Sequence, residues 1–182
     1  MTSATHDAPI TSHGLLTDRG RLLAGLAFVV GLATILGAWG SQIFGGLVPC
    51  ELCLEQRLAY YWGLPVLALV VILWHRLPGA ARLIGLLLGA AIFAWGTYMA
   101  VYHAGVEMKL WPGPTACTGL GGEISFSDLT NINATRVVPC DAIQFEFLGI
   151  TLAGYNALIS AAIVLALLAA AALARAGRGS SR

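Results

Sequence analysis

Residues 152–174 read LAGYNALISAAIVLALLAAAALA, a stretch of 23 residues without one charged side chain. At about 1.5 Å of rise per residue, a helix of this length exceeds the roughly 30 Å of hydrocarbon in a bilayer. Three more charge-free runs lie upstream, at Leu22–Gly40, Leu58–Trp74 and Leu83–Tyr102. Pro65 falls inside the second run, where neighbouring helices can satisfy the freed backbone groups. The pattern predicts an all-α membrane protein, a bundle of four transmembrane helices.

The overall composition agrees with a membrane protein. Hydrophobic residues make up 58% of the 182 residues and charged residues 10%, against roughly 45–50% and about 25% in soluble domains. A chain this apolar does not have the composition of a disordered protein. A net charge of +1 provides no basic patch for nucleic acid, so we expect no nucleic-acid partner. Helices of a soluble core would show a polar stripe, which the four runs lack.

The first run differs from a cleaved signal peptide. It is longer than the roughly 7–15 apolar residues of a signal sequence, and the segment before it carries Asp7 and Asp18. We therefore expect it to be a retained membrane span.

The charges outside the runs predict the orientation in the membrane. With four spans, both termini lie on one side, together with the turn between the second and third spans. Seven of the ten basic residues fall on that side and three on the other. This bias predicts cytoplasmic tails at 1–21 and 175–182, flanking a transmembrane domain over 22–174. The loops at 41–57 and 103–151 are then predicted to face the periplasm.

All four cysteines fall in the two predicted periplasmic loops. Cys50 and Cys53 lie in the first loop, and Cys117 and Cys140 in the second. The periplasm is oxidising, so disulfides persist there, and four cysteines allow three pairings. Cys50 and Cys53 have the C-x-x-C spacing of redox-active pairs. Cys117 and Cys140, taken alone, favour a structural disulfide.

Haem and metal sites fit the cysteine pattern less well. Covalent haem attachment needs C-x-x-C-H, and Leu54 follows Cys53. A zinc site of four thiolates usually contains two close pairs, whereas Cys117 and Cys140 are far apart in sequence. An iron–sulfur cluster meets the same difficulty. We therefore expect no metal.

The surroundings of the C-x-x-C favour thiolate chemistry. Pro49 precedes it and an apolar helix is predicted from about Leu54, so the pair lies at or just before a helix N-terminus. The positive end of the helix dipole lowers the pKa of a thiol there. Arg57 follows Cys53 by one helical turn, where its charge can stabilise a thiolate or an electron-rich cofactor oxygen. The alternative role for Arg57 is an arginine that extends to the lipid headgroups.

Three short segments stand out at the outer ends of the predicted spans. They read PCELCLEQR at 49–57, YH at 102–103 followed by LWPGPTAC at 110–117, and PC at 139–140 followed by FLG at 147–149. In this order they resemble the DsbB family, the bacterial inner-membrane disulfide bond formation proteins. The resemblance extends over roughly residues 22–174. It departs from some members in the short, glycine-rich stretch at 118–138.

The resemblance implies a quinone-dependent thiol oxidase in the inner membrane. Its bundle would hold ubiquinone or menaquinone near the outer ends of the helices. Cys50 and Cys53 match the pair that passes electrons to the quinone, with Cys53 as the sulfur beside the ring. Arg57 matches an arginine that assists this oxidation, and His103 matches a histidine near the quinone.

The resemblance also implies a soluble partner. Cys117 and Cys140 match the loop pair that oxidises a periplasmic thioredoxin-fold dithiol oxidase of the DsbA type. Cys117 corresponds to the sulfur that the partner attacks, and Cys140 can then pair with Cys50 during internal exchange.

Two alternatives remain at this point. A protein similar to vitamin K epoxide reductase shares the bundle and the quinone chemistry, but in that family the C-x-x-C lies late in the chain. A non-enzymatic membrane protein, such as a transporter subunit, would hold its cysteines in static structural disulfides. Intramembrane charges would favour a transporter, and the four runs contain none.

Several remaining residues are predicted to pack helices together. Gly85 and Gly89 form a G-x-x-x-G in the third span, a pattern typical of close helix contacts. Tyr155 and Asn156 in the fourth span can bond to a neighbouring helix or to a quinone, and helix packing is the interpretation we favour.

Overall fold

The computed structural model describes residues 12–114 and 138–179, which form four helices and a short hairpin. The helices are α1 (Ser12–Ile43), α2 (Glu51–Ile72), α3 (Gly79–Glu107) and α4 (Leu152–Gly179), and the two-residue strands are β1 (Glu146–Phe147) and β2 (Ile150–Thr151). Helices α1, α3 and α4 contain the predicted spans at 22–40, 83–102 and 152–174. Helix α2 begins at Glu51 rather than Leu58 and ends at Ile72 rather than Trp74.

The four helices pack around one apolar core. Helix α4 contacts both α1 and α3, and α2 packs against α3 and α1. Phe93, Leu67, Leu86 and Leu167 are fully buried where the helices meet. These side chains interlock at the packing density of a protein interior. This close packing holds the helices in one defined arrangement.

The outer surface of the bundle is also apolar, as a bilayer requires. Large exposed hydrophobic residues occur on every helix, among them Val29, Trp62, Ile84 and Leu165. Three segments of the described chain are long and apolar enough to cross a membrane: Asp18–Ile43, Gly79–Glu107 and Leu152–Ala176. Helix α2 carries polar residues in its first two turns, and its apolar part follows from Leu58.

Glycines allow α2 and α3 to approach closely. A Cβ atom built on Gly85 would lie 2.4 Å from Val70 Cγ2, and one on Gly89 would lie 2.9 Å from a methyl of Leu67. A Cβ on Gly96 would lie 2.6 Å from the Cβ of Ala59. The prediction that Gly85 and Gly89 serve helix packing is therefore confirmed.

Two tight turns fold the outer segments over the end of the bundle. After α3, the Trp111 ring stacks on Tyr102 with the centroids 6.2 Å apart, and Trp111 Nε1 donates to the Tyr102 carbonyl. Before α4, Leu148 and Gly149 both have positive φ, at 51° and 76°, and connect β1 to β2. A two-residue hairpin with this geometry matches the strand twist and favours glycine. The FLG segment at 147–149 is thus a turn that directs the chain into α4.

Candidate redox site

The C-x-x-C lies at the N-terminus of α2. Cys50 is the N-cap residue, and its sulfur accepts a hydrogen bond from the backbone N–H of Cys53 at 3.3 Å. Cys50 is buried and Cys53 is half-buried. The predicted position of the pair at a helix N-terminus is confirmed, and the sulfur of Cys50 does what a capping oxygen does in other helices.

The two thiols of this pair differ in acidity. Both are free thiols, and both precede the charge-free part of α2 that begins at Leu58. The hydrogen bond between the two side chains and the burial of Cys50 raise the pKa of Cys50, while the same bond lowers the pKa of Cys53. The Arg57 charge adds to the lowering at Cys53. Cys53 is therefore the more acidic thiol of the pair.

Cys140 from the second loop is buried beside the C-x-x-C. It forms one small cluster with Cys50, Leu52, Met99 and Val106. Cys140 is disulfide-bonded, and neither Cys50 nor Cys53 is its partner, because both are free. The predicted loop residue Cys117 lies outside the described residues. The fold thus brings three of the four predicted redox cysteines together. Cys50 and Cys53 lie at the N-terminus of α2, and Cys140 lies in the loop segment that packs beside them.

Next to Cys140, a surface contact attaches the loop to the end of α3. Lys109 Nζ donates to the carboxylate and to the backbone carbonyl of Asp141. This ammonium group holds the pKa of the Asp141 carboxyl below its usual range. Since the pair is exposed, its role is to position the segment around Cys140 rather than to contribute much stability.

His103 contacts both cysteine positions with one ring nitrogen. Its Nε2 atom lies 3.6 Å from Cys50 Sγ and 3.1 Å from the backbone carbonyl of Cys140. The side chain is only 3% exposed, near the outer end of α3. The predicted site residue His103 therefore lies at the junction between the C-x-x-C and the second loop.

A series of buried hydrogen bonds extends from His103 into the bundle. Gln56 Nε2 lies 2.7 Å from His103 Nδ1, and Asn156 Nδ2 donates to Gln56 Oε1 at 2.6 Å. The Tyr60 hydroxyl donates to Asn156 Oδ1 and lies 3.1 Å from Ser160 Oγ. We call Tyr60, Asn156, Gln56 and His103 the polar chain. It links α4 through α2 to α3.

Gln56 and Tyr60 were not among the site residues predicted from the sequence, and helix packing was the predicted role of Asn156. Gln56 could have been noted because it follows Cys53 by three residues, and so lies one turn further along the helix. The bond from Asn156 to Gln56 on α2 agrees with the predicted contact to a neighbouring helix. Tyr155 likewise donates to the Phe147 carbonyl of the hairpin.

Arg57 connects α2 to the outer end of α1. Its Nη1 atom donates to Gln42 Oε1 at 2.8 Å, and Nη2 donates to the Ala38 carbonyl at 3.4 Å. The side chain is half-buried and lines the same cavity as Cys53. These contacts hold the guanidinium against the outer end of α1, at the cavity that Cys53 also lines.

Glu107 is a buried acid that the sequence analysis left in the second loop. Helix α3 continues to Glu107, beyond the predicted end of the span at Tyr102. Its Oε1 atom lies 3.9 Å from His103 Nε2, and its Oε2 atom has no hydrogen-bond partner among the described residues. Its position four residues after His103 was the available signal, since residues at that spacing share a helix face.

These side chains surround a cavity of about 340 Å³ near the outer end of the bundle. Its walls include Ile35 and Ala38 from α1 and Ala153 and Ile159 from α4. The polar residues that line it include Cys50, Cys53, Gln56, Arg57, His103 and Glu107. Apolar walls with a few convergent polar groups are typical of a site for a small organic ligand.

Three of these residues are also close enough to be metal ligands. The ligand atoms of Cys50, Cys53 and His103 all lie within 4.8 Å of one another. However, His103 Nε2 faces the Cys140 carbonyl at 3.1 Å, an arrangement in which the nitrogen carries a proton and donates it. Without a free lone pair on that nitrogen, the arrangement favours thiol chemistry over metal ligation.

Comparison with known families gives a clear result. Residues 20–170 match the family described as disulfide bond formation protein DsbB. Comparisons with the curated proteins and with the solved structures found no match. The four-helix transmembrane bundle predicted from the sequence is the architecture of the matched family. The match sets aside the alternatives based on vitamin K epoxide reductase and on a non-enzymatic membrane protein.

Proposed function

This chain belongs to the DsbB family of disulfide bond formation proteins, and we propose that Cys50 and Cys53 deliver electrons to its quinone while Cys117 and Cys140 take them from DsbA. Members of the family re-oxidise DsbA with a quinone as electron acceptor. The protein is accordingly a multi-pass disulfide:quinone oxidoreductase of the inner membrane.

One observation carries the assignment of the cysteines. The sulfur of Cys50 and the backbone of Cys140 meet at one nitrogen of His103, although the two cysteines come from different loops. Thiol–disulfide exchange requires the attacking and the attacked sulfur to come into contact. A fold that holds these two positions together supports electron transfer from the loop pair to the C-x-x-C.

The cavity fits the head group of a quinone. A quinone bound there would supply an acceptor for two electrons and two protons. The cavity volume of about 340 Å³ falls at the lower end of the roughly 300–1,000 Å³ of small-molecule sites. Arg57 provides a fixed positive charge beside Cys53, and the α1 and α4 residues provide apolar walls. We expect ubiquinone or menaquinone to occupy this cavity.

The loop pair receives electrons first. A thiolate of the periplasmic thioredoxin-fold partner attacks Cys117, which forms a mixed disulfide and releases Cys140 as a thiolate. The second thiol of the partner then displaces Cys117, and the partner leaves with its own disulfide. Each step exchanges one sulfur–sulfur bond for another, so no external oxidant is needed.

The C-x-x-C receives the electrons next. The Cys140 thiolate attacks Cys50 of an oxidised Cys50–Cys53 pair, and Cys53 leaves as a thiolate. The lowered pKa of Cys53 makes it the better leaving group of the two. Arg57 lines the cavity with Cys53, so its guanidinium would stabilise the Cys53 thiolate and the negative charge that a quinone bound there would accept.

The assignment is tested with purified protein, a reduced thioredoxin-fold dithiol protein and ubiquinone. We expect quinone reduction in the unmodified protein and its loss in Cys50→Ser and Cys53→Ser. Cys140→Ser should accumulate a mixed disulfide with the partner, bonded through Cys117. Thr97→Ala, whose hydroxyl bonds within α3 to the Phe93 carbonyl and which does not line the cavity, serves as the control and should retain activity. Quinone reduction that survives Cys53→Ser contradicts the assignment.

A further inference from the structure

The amides of the polar chain have no role in the exchange steps described above. Gln56 is 5% exposed, and Asn156 is partly buried within the bundle. Burying an amide is costly unless its donors and acceptors are satisfied. Both amides are bonded on both sides, which makes the direction of each hydrogen bond informative.

The amide groups of Asn156 and Gln56 give the chain one direction. It is fixed at the Cys140 carbonyl, which can only accept, whereas the Tyr60 hydroxyl can donate or accept. The Tyr60 hydroxyl donates to Asn156 Oδ1, and Asn156 Nδ2 donates to Gln56 Oε1. Gln56 must then present its Nε2 atom to His103. An amide nitrogen can only donate a hydrogen bond, so His103 Nδ1 is the acceptor and carries no proton.

The opposite side of the His103 ring leads to the same result. A neutral imidazole without a proton on Nδ1 carries it on Nε2. Nε2 lies 3.1 Å from the Cys140 carbonyl, which can only accept a hydrogen bond. Both sides of the ring therefore require the Nε2–H tautomer, with its N–H directed toward Cys140 and toward Cys50 Sγ at 3.6 Å.

The tautomer decides what His103 can do for the neighbouring sulfur. A ring N–H stabilises a thiolate by a charge-assisted hydrogen bond. The other tautomer would place a lone pair against the Cys140 carbonyl and would accept a proton from a thiol. The titratable groups nearest the ring are Glu107 on α3 and the thiols of Cys50 and Cys53, whose sulfurs lie within 4.8 Å of a ring nitrogen. Arg57 on α2 lines the same cavity.

We propose that Gln56 and Asn156 are positioning residues that hold His103 as the Nε2–H tautomer, so that it stabilises the thiolate of Cys50 during exchange with the loop pair. This inference rests on the proposed function of the cysteines. In the step concerned, the Cys117 thiolate attacks Cys140 of a Cys50–Cys140 disulfide. The bond between Cys117 and Cys140 forms, the bond to Cys50 breaks, and the negative charge moves to the Cys50 sulfur beside the His103 N–H.

The test uses Cys53→Ser protein without quinone, so that Cys50 is the thiol under study and the effect of Cys53 on it is absent. In ¹⁵N spectra of the histidine rings, we expect His103 to have an unprotonated Nδ1. The isosteric variant Gln56→Glu should protonate Nδ1, because a carboxylate can only accept. Gln56→Leu and Asn156→Leu should slow alkylation of Cys50 at neutral pH by roughly tenfold and move its pH profile upward, as expected for loss of a hydrogen bond to a charged group.

Ser160→Ala provides the matched control. Ser160 contacts only the Tyr60 end of the polar chain, through the Tyr60 hydroxyl and through Asn156 Oδ1 at 3.5 Å. Its removal leaves the bonds from Asn156 to Gln56 and from Gln56 to His103 in place. We expect the tautomer and the alkylation profile to stay unchanged in this variant. A protonated Nδ1 in the protein with Gln56 overturns the proposal, even if the leucine variants do not fold. Unchanged alkylation in folded Gln56→Leu and Asn156→Leu overturns it as well.

These measurements separate the inference from the assignment of the cysteines. They require neither quinone nor partner, so they report only on the ring and on the reactivity of Cys50. If Cys50→Ser protein still reduces quinone, the assignment of the cysteines fails while the tautomer remains measurable.

Discussion

At the scale of single residues, the site depends on side chains that contact two elements at once. His103 contacts Cys50 from α2 and the backbone of Cys140 from the second loop. Arg57 extends from α2 to Gln42 and Ala38 of α1. Each of these residues therefore fixes the distance between a redox group and the surrounding helices, in addition to its own chemistry.

We predict that Arg57→Lys lowers quinone reduction by about tenfold and Arg57→Gln by about a hundredfold, from the loss of one or more charged hydrogen bonds. Lysine keeps the charge but cannot donate from two nitrogens held in one plane, as Nη1 and Nη2 do. Steady-state rates at varied quinone concentration measure the effect. Arg76→Lys, in the turn after α2, is the control. Wild-type rates in Arg57→Gln would show that Arg57 has no role at the quinone.

At the scale of elements, the position of the N-terminus of α2 decides where the two sulfurs of the C-x-x-C lie. The helix begins at Glu51, so Cys50 caps it and both sulfurs lie at the positive end of the helix dipole. Helix α3 supplies His103 and Glu107 from its last two turns, and α4 supplies Asn156 from its first two turns. The close packing of α2 on α3 through small residues keeps these ends in register.

We predict that Gly96→Ala destabilises the bundle by about 1–3 kcal/mol, the usual cost of overpacking. The new methyl group would lie 2.6 Å from the Cβ of Ala59, which cannot move without its backbone. Thermal unfolding in detergent measures the loss. Gly25→Ala is the matched control, because nothing lies within 4 Å of its added Cβ and alanine favours the helix. Equal melting temperatures for the two variants would argue against close α2–α3 packing.

At the scale of the whole molecule, the excess of basic residues and the redox chemistry occupy opposite ends. The inner end contains Arg21 bonded to His75, and Arg82 lies over the ring of Trp74. The outer end contains the C-x-x-C, the cavity and the segment around Cys140. Excess basic residues remain in the cytoplasm, so this asymmetry predicts periplasmic cysteines.

We predict that the loops after α1 and α3 face the periplasm. Labelling of intact cells with a membrane-impermeant maleimide tests this orientation. In a variant whose four cysteines are replaced by serine, Glu146→Cys should be labelled directly. Arg76→Cys, in the turn between α2 and α3, should be labelled only after the membrane is permeabilised. Labelling of the Arg76→Cys site in intact cells would reverse the predicted topology.

Much of this organisation could be predicted from the sequence, because it depends on which solvent surrounds each segment. Charge-free runs of bilayer length predicted four helices, and the bias of basic residues predicted their orientation. The C-x-x-C, Arg57 and the later motifs indicated the DsbB family, which the match over residues 20–170 confirms. Glu107 was left in the loop because hydropathy does not show how far a helix continues past an apolar run.

The polar chain was decided by the tertiary structure alone. Its bonds join residues 47 positions apart, at Gln56 and His103, and 100 positions apart, at Asn156 and Gln56. Which side chains meet across a bundle depends on how each helix is rotated, and sequence composition does not specify that rotation. The sequence by itself therefore determined the membrane, the compartment and the thiols, whereas helix packing determined which side chains meet at His103.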